Sequence, residues 1–381
     1  MNMSCNIGVI LGGGLGTRFK GTIPKQYVKL NGKEIIAYSI EAFTKAKALD
    51  AFVVVVDEKS YKNGSVAEKY GVDCILGGNS RNASVRNALD YIKVKYPDCK
   101  NVMIHEAVGV VVQDKSGTLA RGTRVAMVPN ISPAEHTIVK DNYSRDSKFC
   151  SSSADGFMQD LVAVPGDRLI PLPEGMDEKA FVFTEPLSVA FNAVEAFQRV
   201  AVTPKTALGI WGDGSIGFLL ALVLRHVYPD SKIYVFGHNR KKLQRFSFAE
   251  EIYFSDMPPE NFKLDHCFEC VGGSKAEDAI NQMIDMINPQ GVISLLGVSE
   301  ELVGLNTRMI LEKGLQLIGN SRSVARDMQA AVDLIGGDEA VGQYLQTIIS
   351  NECDVRSVDD IYNAFELDKL GDFKTVIHWN V

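Results

Sequence analysis

The sequence predicts an α/β protein in which two regions of alternating strands and helices flank a β-rich segment. Short apolar runs, typical of strands buried on both faces of a parallel sheet, alternate with segments whose apolar residues recur at helical spacing. Glycine-rich turns follow two of these runs directly. With 381 residues, the chain is long enough for two or three domains.

The first region, residues 1–106, alternates predicted strands with predicted helices. The strands are residues 7–11, 51–56, 74–76 and 101–104, and the helices are residues 34–45 and 84–94. Because the apolar runs are short and continuous, we expect a parallel sheet.

Residues 107–190 differ, because their strand-like runs are divided by glycine, proline and polar residues. The predicted strands are residues 108–112, 124–129, 161–164 and 169–172. Residues 130–156 are rich in serine, aspartate and asparagine and predict an irregular excursion. A helix is predicted over residues 185–197.

Alternation resumes in residues 191–330, which predict a second, doubly wound sheet. Its predicted strands are residues 207–211, 232–236, 264–269, 292–296 and 315–318, and its first helix is residues 216–226. We expect residues 331–381 to return to the β-rich domain.

Composition favours a small-molecule partner. The net charge of -7 argues against nucleic acid, whose phosphates attract a basic surface. No apolar stretch is long enough to cross a bilayer, and the first residues do not resemble a secretion signal. Seven scattered cysteines do not suggest a secreted disulfide framework. We therefore expect a cytoplasmic protein that binds neither membrane nor nucleic acid.

The first predicted strand ends in a glycine-rich loop whose backbone amides can wrap a triphosphate, because no side chains intervene. Its candidate binding residues are Gly12, Gly13, Gly14, Gly16 and Thr17. Arg18 and Lys25 supply cations where charge builds up on transferred phosphates.

This loop, the Pro-Lys-Gln of residues 24–26 and the Gly-Gly-Asn-Ser-Arg of residues 77–81 resemble the 2-C-methylerythritol 4-phosphate and ribitol-5-phosphate cytidylyltransferases. The resemblance implies a Rossmann-like nucleotidyltransferase fragment in which Gly78, Asn79 and Ser84 contact the base and ribose of CTP, with magnesium. Arg18 and Lys25 would then act on the phosphates. It covers only the CTP-binding half of that enzyme, since Glu106 replaces the family's aspartate and the Arg-Pro pair that follows is missing.

The second glycine motif follows a predicted strand and opens a helix, which is the context of a dinucleotide-binding turn. The candidate cofactor-binding residues of this turn are Gly212, Asp213, Gly214, Ser215, Ile216 and Gly217. No acid follows the next strand, where NAD-binding sites carry one for the ribose hydroxyls; His238, Arg240 and Lys241 stand there instead. This favours NADP over NAD, while the alternative is a solvated basic start of a helix.

The stretch Glu-Pro-Leu-Ser-Val-Ala at residues 185–190 and His-Glu-Ala-Val-Gly at residues 105–109 resemble the zinc-dependent medium-chain dehydrogenases. The resemblance implies a partial, β-rich GroES-like segment over residues 107–190 and a C-terminal Rossmann domain. It also implies a catalytic zinc with His105 and Glu185 as ligands and Glu106 beside the metal.

Within that superfamily, residues from about 105 onward resemble the ribulose-5-phosphate reductases of teichoic-acid and capsule pathways, through stretches such as Phe-Glu-Cys-Val-Gly-Gly at residues 268–273. The resemblance implies NADPH-dependent reduction of ribulose 5-phosphate to ribitol 5-phosphate by a homodimer. Two alternatives stay open: a ribitol-5-phosphate cytidylyltransferase and a non-catalytic nucleotide-binding hybrid.

The family's first zinc ligand, a cysteine ahead of the His-Glu pair, has no counterpart here. Cys150 is a candidate substitute, although a loop cysteine is more often incidental. His136 and His266 are further candidate ligands, with a surface or strand-edge position as the favoured alternative. Arg322 and Arg326 are candidates for gripping a substrate phosphate, against ordinary surface ion pairing.

Overall fold

The computed structural model describes most of the chain in two compact units. The described residues are 5–12, 25–30, 32–45, 51–77, 87, 88, 91, 95, 99–101, 108–132, 140–154, 156, 157, 162–176, 178–299 and 301–379. The first unit comprises residues 1–103, 353–365 and 377–381, and the second comprises residues 104–352 and 366–376.

The first unit contains a parallel sheet with the order β5-β4-β1-β6 among its described residues. Its strands are β1 (Cys5–Leu11), β2 (Lys29–Leu30), β3 (Lys33–Glu34), β4 (Ala51–Val56), β5 (Asp73–Leu76) and β6 (Cys99–Asn101). Its helices are α1 (Ile35–Lys45), α2 (Glu58–Lys62) and α3 (Ser65–Tyr70). The valines of β4 are buried on both faces, which explains the unbroken apolar run.

The second unit begins with short antiparallel strands. These are β7 (Val108–Val110), β8 (Arg124–Met127), β9 (Asn130–Ile131), β10 (Lys148–Phe149) and β11 (Leu169–Pro171). Among the described residues, β8 lies between β7 and β11, and β9 pairs with β10. At the edge strand, Val110 is 59% exposed, and Val112 just beyond it is 54% exposed.

A larger sheet forms the rest of the second unit, and all its pairings are parallel. Its strands are β12 (Ala207–Trp211), β13 (Lys232–Gly237), β14 (Glu251–Phe254), β15 (His266–Glu269), β16 (Val292–Leu295) and β17 (Gln316–Gly319). Their order in the described chain is β14-β13-β12-β15-β16-β17. This is the doubly wound arrangement that the sequence predicts, and it places a switch point beside the carboxyl end of β12.

The second unit also contains helices. They are α4 (Glu178–Phe181), α5 (Thr184–Val200), α6 (Ser215–Val227), α7 (Arg240–Leu243), α8 (Ala276–Met286), α9 (Thr307–Lys313), α10 (Ala325–Gly337) and α11 (Glu339–Gln346). The chain closes with β18 (Ile349–Val355), α12 (Val358–Leu370) and β19 (Lys374–Trp379). Residues 218–224 of α6 are buried all round, since the helix lies in the largest apolar core.

Two sequence predictions are wrong here. The expected strand over residues 161–164 is absent from its described part, residues 162–164; there, Val164 packs into the apolar cluster around Cys150 instead of pairing with a strand. His266 lies neither at the surface nor at a strand edge, because β15 is an interior strand, and its ring is fully buried against Phe197. Burial lowers the pKa of His266.

No helix in the described ranges combines the length and the apolar character that crossing a bilayer demands.

Candidate active site

The three glycines of the turn after β12 have different surroundings, so each is required for a different reason. Gly212 has φ +127°, and a β-carbon there would lie 2.7 Å from the Cys270 carbonyl oxygen. A β-carbon at Gly217 would overlap the Gly212 carbonyl oxygen, so only glycine lets α6 pack this close to the turn. A β-carbon at Gly214 would meet nothing within 4 Å, which leaves open space at the start of the helix. The turn therefore has the geometry that admits a pyrophosphate.

The amino end of α6 completes this cradle. Gly214 is the N-cap residue and has no side chain to occupy the first-turn amides of the helix. Ser215 and Ile216 are half-buried, so the first turn is partly open. Such a helix end favours an anion through its free N–H groups and its dipole.

Asp213 joins this turn to the end of β13. Its Oδ2 accepts hydrogen bonds from the backbone N–H groups of His238, at 2.7 Å, and Asn239, at 2.6 Å. A β-carbon at the buried Gly237 would lie 2.6 Å from the same Oδ2. The carboxylate of Asp213 thus fills the space that a side chain at Gly237, the last residue of β13, would need.

Positively charged side chains follow the carboxyl end of β13. The Asn239 side chain caps α7 by accepting from the Lys241 N–H at 2.9 Å. Arg240 and Lys241 are exposed, and neither side chain has an ion pair or hydrogen bond within the described chain. His238 contacts the Ser255 hydroxyl at 3.0 Å. Lys242 differs, since its ammonium lies 5.7 Å from the centre of the Phe373 ring.

Glu269, at the end of β15, is a positioning residue to which the sequence motifs assign no role. It is only 1% exposed, and its Oε1 accepts from the N–H groups of Val271 and Gly272, each at 2.7 Å. Its Oε2 accepts from Gly297 N–H at 3.0 Å. One buried carboxylate thereby holds the loops after β15 and β16 at the edge where cofactors bind. The signal in the sequence is an acidic residue at the end of an apolar strand, in the Cys-Phe-Glu-Cys of residues 267–270.

Glu185, the predicted metal ligand, lies in the first turn of α5 and is half-buried. Its backbone carbonyl accepts from the Ser188 hydroxyl at 2.5 Å, and that hydroxyl lies 2.7 Å from the Ser323 hydroxyl. His105 and Glu106 lie outside the described residues. Within the part that is described, no three His, Cys, Asp or Glu side chains are grouped as a metal site. The zinc ligands therefore stay a prediction.

Cys150, Cys267 and Cys270 are buried. Cys150 is 3% exposed in an apolar cluster, and its Sγ accepts from Arg168 Nη2 at 3.2 Å. Cys267 and Cys270 are buried around the end of β15, and burial raises the pKa of both thiols. Cys267 thus lies within a buried strand, and Cys270 lies in the turn that follows it.

In the first unit, Gly12 directly follows β1, and its N–H donates to the Val55 carbonyl at 2.8 Å. Lys25 begins a one-turn 3-10 helix. The other predicted CTP-site residues lie outside the described residues, namely Gly13, Gly14, Gly16, Thr17, Arg18, Gly78, Asn79 and Ser84.

The doubly wound sheet and its open glycine turn define the class, a dinucleotide-binding dehydrogenase. The profile of the family "Glucose dehydrogenase C-terminus" matches residues 178–379. The ribulose-5-phosphate reductase of Bacillus spizizenii is 44% identical over 73% of this chain and 82% of its own length. The chain belongs to the ribulose-5-phosphate reductase family, which confirms the predicted resemblance.

A solved structure agrees with this assignment. The crystal structure of S. aureus TarJ in complex with NADPH is 39% identical, with a TM-score of 0.65 over 77% of this chain and 85% of that chain.

The amino-terminal resemblance is confirmed as well. The profile of 2-C-methyl-D-erythritol 4-phosphate cytidylyltransferase matches residues 7–139. The enzyme of that name from Clostridium beijerinckii is 34% identical over 36% of this chain and 64% of its own length.

Proposed function

We propose that this chain reduces ribulose 5-phosphate to ribitol 5-phosphate with NADPH. The observation that carries the proposal is the open glycine turn beside unpaired cations, in a chain 44% identical to a ribulose-5-phosphate reductase. The amino end of α6 would hold the pyrophosphate, and His238, Arg240 and Lys241 would hold the 2′-phosphate. When bound, NADPH supplies the hydride and a zinc ion polarises the substrate carbonyl.

Two assays test this proposal. Loss of NADPH absorbance on adding ribulose 5-phosphate, and a much smaller loss with ribulose, supports it. Pyrophosphate release from CTP and ribitol 5-phosphate would instead favour the second candidate, a cytidylyltransferase, which is motivated by the profile match at residues 7–139. If the protein bound NADPH but catalysed neither reaction, the result would favour the third alternative, a non-catalytic nucleotide-binding hybrid.

We infer that His105 and Glu185 hold the zinc, with Glu106 beside it. Imidazole nitrogen and carboxylate oxygen are both ordinary zinc ligands. Purified protein is expected to contain about one zinc per chain, and Glu185→Gln is expected to lose most of it. Elemental analysis measures the zinc content directly. Glu312→Gln is the control, since Glu312 is distant from Glu185 in the sequence and forms an ion pair with Arg308. Equal zinc in both variants would remove Glu185 from the site.

We infer a homodimer that pairs through the edge strand β17. Large apolar side chains are exposed in the segment leading to this strand, namely Val298, Leu302 and Leu311 at 82%, 102% and 80%. A monomer in sedimentation experiments would contradict the dimer. The unpaired thiols of the described cysteines favour a reducing compartment, and we place the protein in the cytoplasm.

A further inference from the structure

The loop between β17 and α10 lies at the carboxyl end of the larger sheet, where open α/β sheets bind ligands. It is tied to the turn that carries Glu185, because the hydroxyls of Ser188 and Ser323 lie 2.7 Å apart. Groups on this loop are therefore close to the predicted metal ligand.

Arg322 on this loop has an unusual backbone and an incompletely used side chain. Its φ is +61°, a left-handed conformation that costs free energy for any residue with a β-carbon. Its guanidinium stacks over Phe149, 5.5 Å from the ring centre, and Nη1 donates to the Ser147 hydroxyl at 3.4 Å. No carboxylate among the described residues neutralises it.

Arg326, four residues further on, provides the contrast. Its Nη2 donates to both carboxylate oxygens of Glu195, at 2.6 and 2.8 Å. Arg326 is thus engaged in an ion pair, while the half-buried Arg322 retains N–H donors for an anion.

Two buried amide oxygens beside Arg322 also lack partners. Asn142 is 2% exposed; its Nδ2 donates to the Ser321 carbonyl at 2.9 Å, but its Oδ1 accepts from no group in the described chain. Asn320 is 7% exposed, and its Oδ1 likewise accepts from no group in the described chain. Unpaired buried acceptors are costly, and the hydroxyl groups of a ligand are donors of the kind that satisfies them.

We propose that Arg322 binds the phosphate of an open-chain sugar or polyol phosphate, with Asn142 and Asn320 accepting hydrogen bonds from its hydroxyls. This inference rests on the proposed function and adds the residues that recognise the substrate. A guanidinium forms paired hydrogen bonds with a phosphate, and the aromatic ring beneath it holds its plane in place.

Calorimetry on the full chain tests the assignment, using ribitol 5-phosphate, ribitol and NADPH as separate titrants. Arg322→Gln is expected to weaken ribitol 5-phosphate binding by about 10- to 100-fold, the effect of losing a charged hydrogen bond. Binding of ribitol and NADPH is expected to stay unchanged. Arg322→Lys should restore part of the phosphate preference, and Arg326→Gln should behave as the unsubstituted chain does.

Three results would overturn the inference. Arg322→Gln could retain its affinity for ribitol 5-phosphate while the unsubstituted chain reduces ribulose 5-phosphate, and then only the inference fails. Arg322→Gln could lose NADPH together with ribitol 5-phosphate, which would assign the guanidinium to the coenzyme. The unsubstituted chain could neither bind ribitol 5-phosphate nor reduce ribulose 5-phosphate, and then the proposed function fails as well.

Arg322→Gly separates ligand binding from packing. Glycine adopts positive φ without strain, so this variant should keep or raise the Tm while losing the phosphate preference. A Tm several degrees lower with unchanged affinity for ribitol 5-phosphate would make Arg322 a packing residue.

Discussion

Replacing Gly217 with alanine is expected to destabilise the larger sheet and its covering helices by at least about 3 kcal/mol, with loss of NADPH binding. The cause is steric, because the new methyl group would overlap the Gly212 carbonyl oxygen. The backbone on both sides is held by sheet and helix hydrogen bonds, so the overlap cannot be relieved by a rotamer change. Thermal unfolding and NADPH titration measure the two effects.

Gly214→Ala is the matched control in the same motif. Its added methyl group meets no atom within 4 Å, and the φ of −83° suits any residue. We expect the free energy of unfolding to change by less than about 1 kcal/mol, the scale of an N-cap substitution, while NADPH affinity falls. If both variants unfolded alike, the separate tasks of these glycines would be refuted.

Removing the two unpaired cations of α7, as Arg240→Gln with Lys241→Gln, is expected to weaken NADPH binding by roughly 100-fold. NADH binding should change little, since NADH lacks the 2′-phosphate that these side chains would contact. The preference for NADPH would then largely disappear. Fluorescence titration with each coenzyme measures the change.

Lys242→Gln is the control for the loss of a positive charge alone. The Lys242 ammonium lies 5.7 Å from the Phe373 ring centre, whereas Arg240 and Lys241 have no such partner among the described residues. It should retain NADPH affinity. Unchanged NADPH binding in the double variant would mean that these cations are only the solvated start of a helix.

The sequence predicts the cofactor turn well because its spacing encodes local geometry. Gly212, Gly214 and Gly217 lie within one turn and one helix start, and the structure shows close packing at Gly212 and Gly217 and open space at Gly214. Five strands of the larger sheet are predicted to within a few residues, since each is an apolar run bounded by turn residues. The edge strand β14 is missed, because its residues are exposed or half-buried and form no buried apolar run.

Contacts between distant residues are what the sequence does not reveal. Asp213 reaches His238, and Glu269 reaches Gly297, only after the strands are placed side by side. The error at His266 has the same origin, because strand order decides whether a histidine at a strand start is interior or at an edge. The apolar run at residues 161–164 misleads for a related reason: in its described part, residues 162–164, only Val164 packs into an apolar cluster and no residue pairs with a strand.

The crowding between Gly237 and Asp213 also limits how this enzyme can be redesigned. The usual way to make such a site accept NADH is to place a carboxylate at the end of the second strand, facing the ribose. Here any side chain at position 237 would collide with Asp213, 2.6 Å away, and would disturb the hydrogen bonds that Asp213 accepts from the N–H groups of His238 and Asn239. A change of coenzyme must therefore come from the basic side chains themselves, with the carboxylate already in place left untouched.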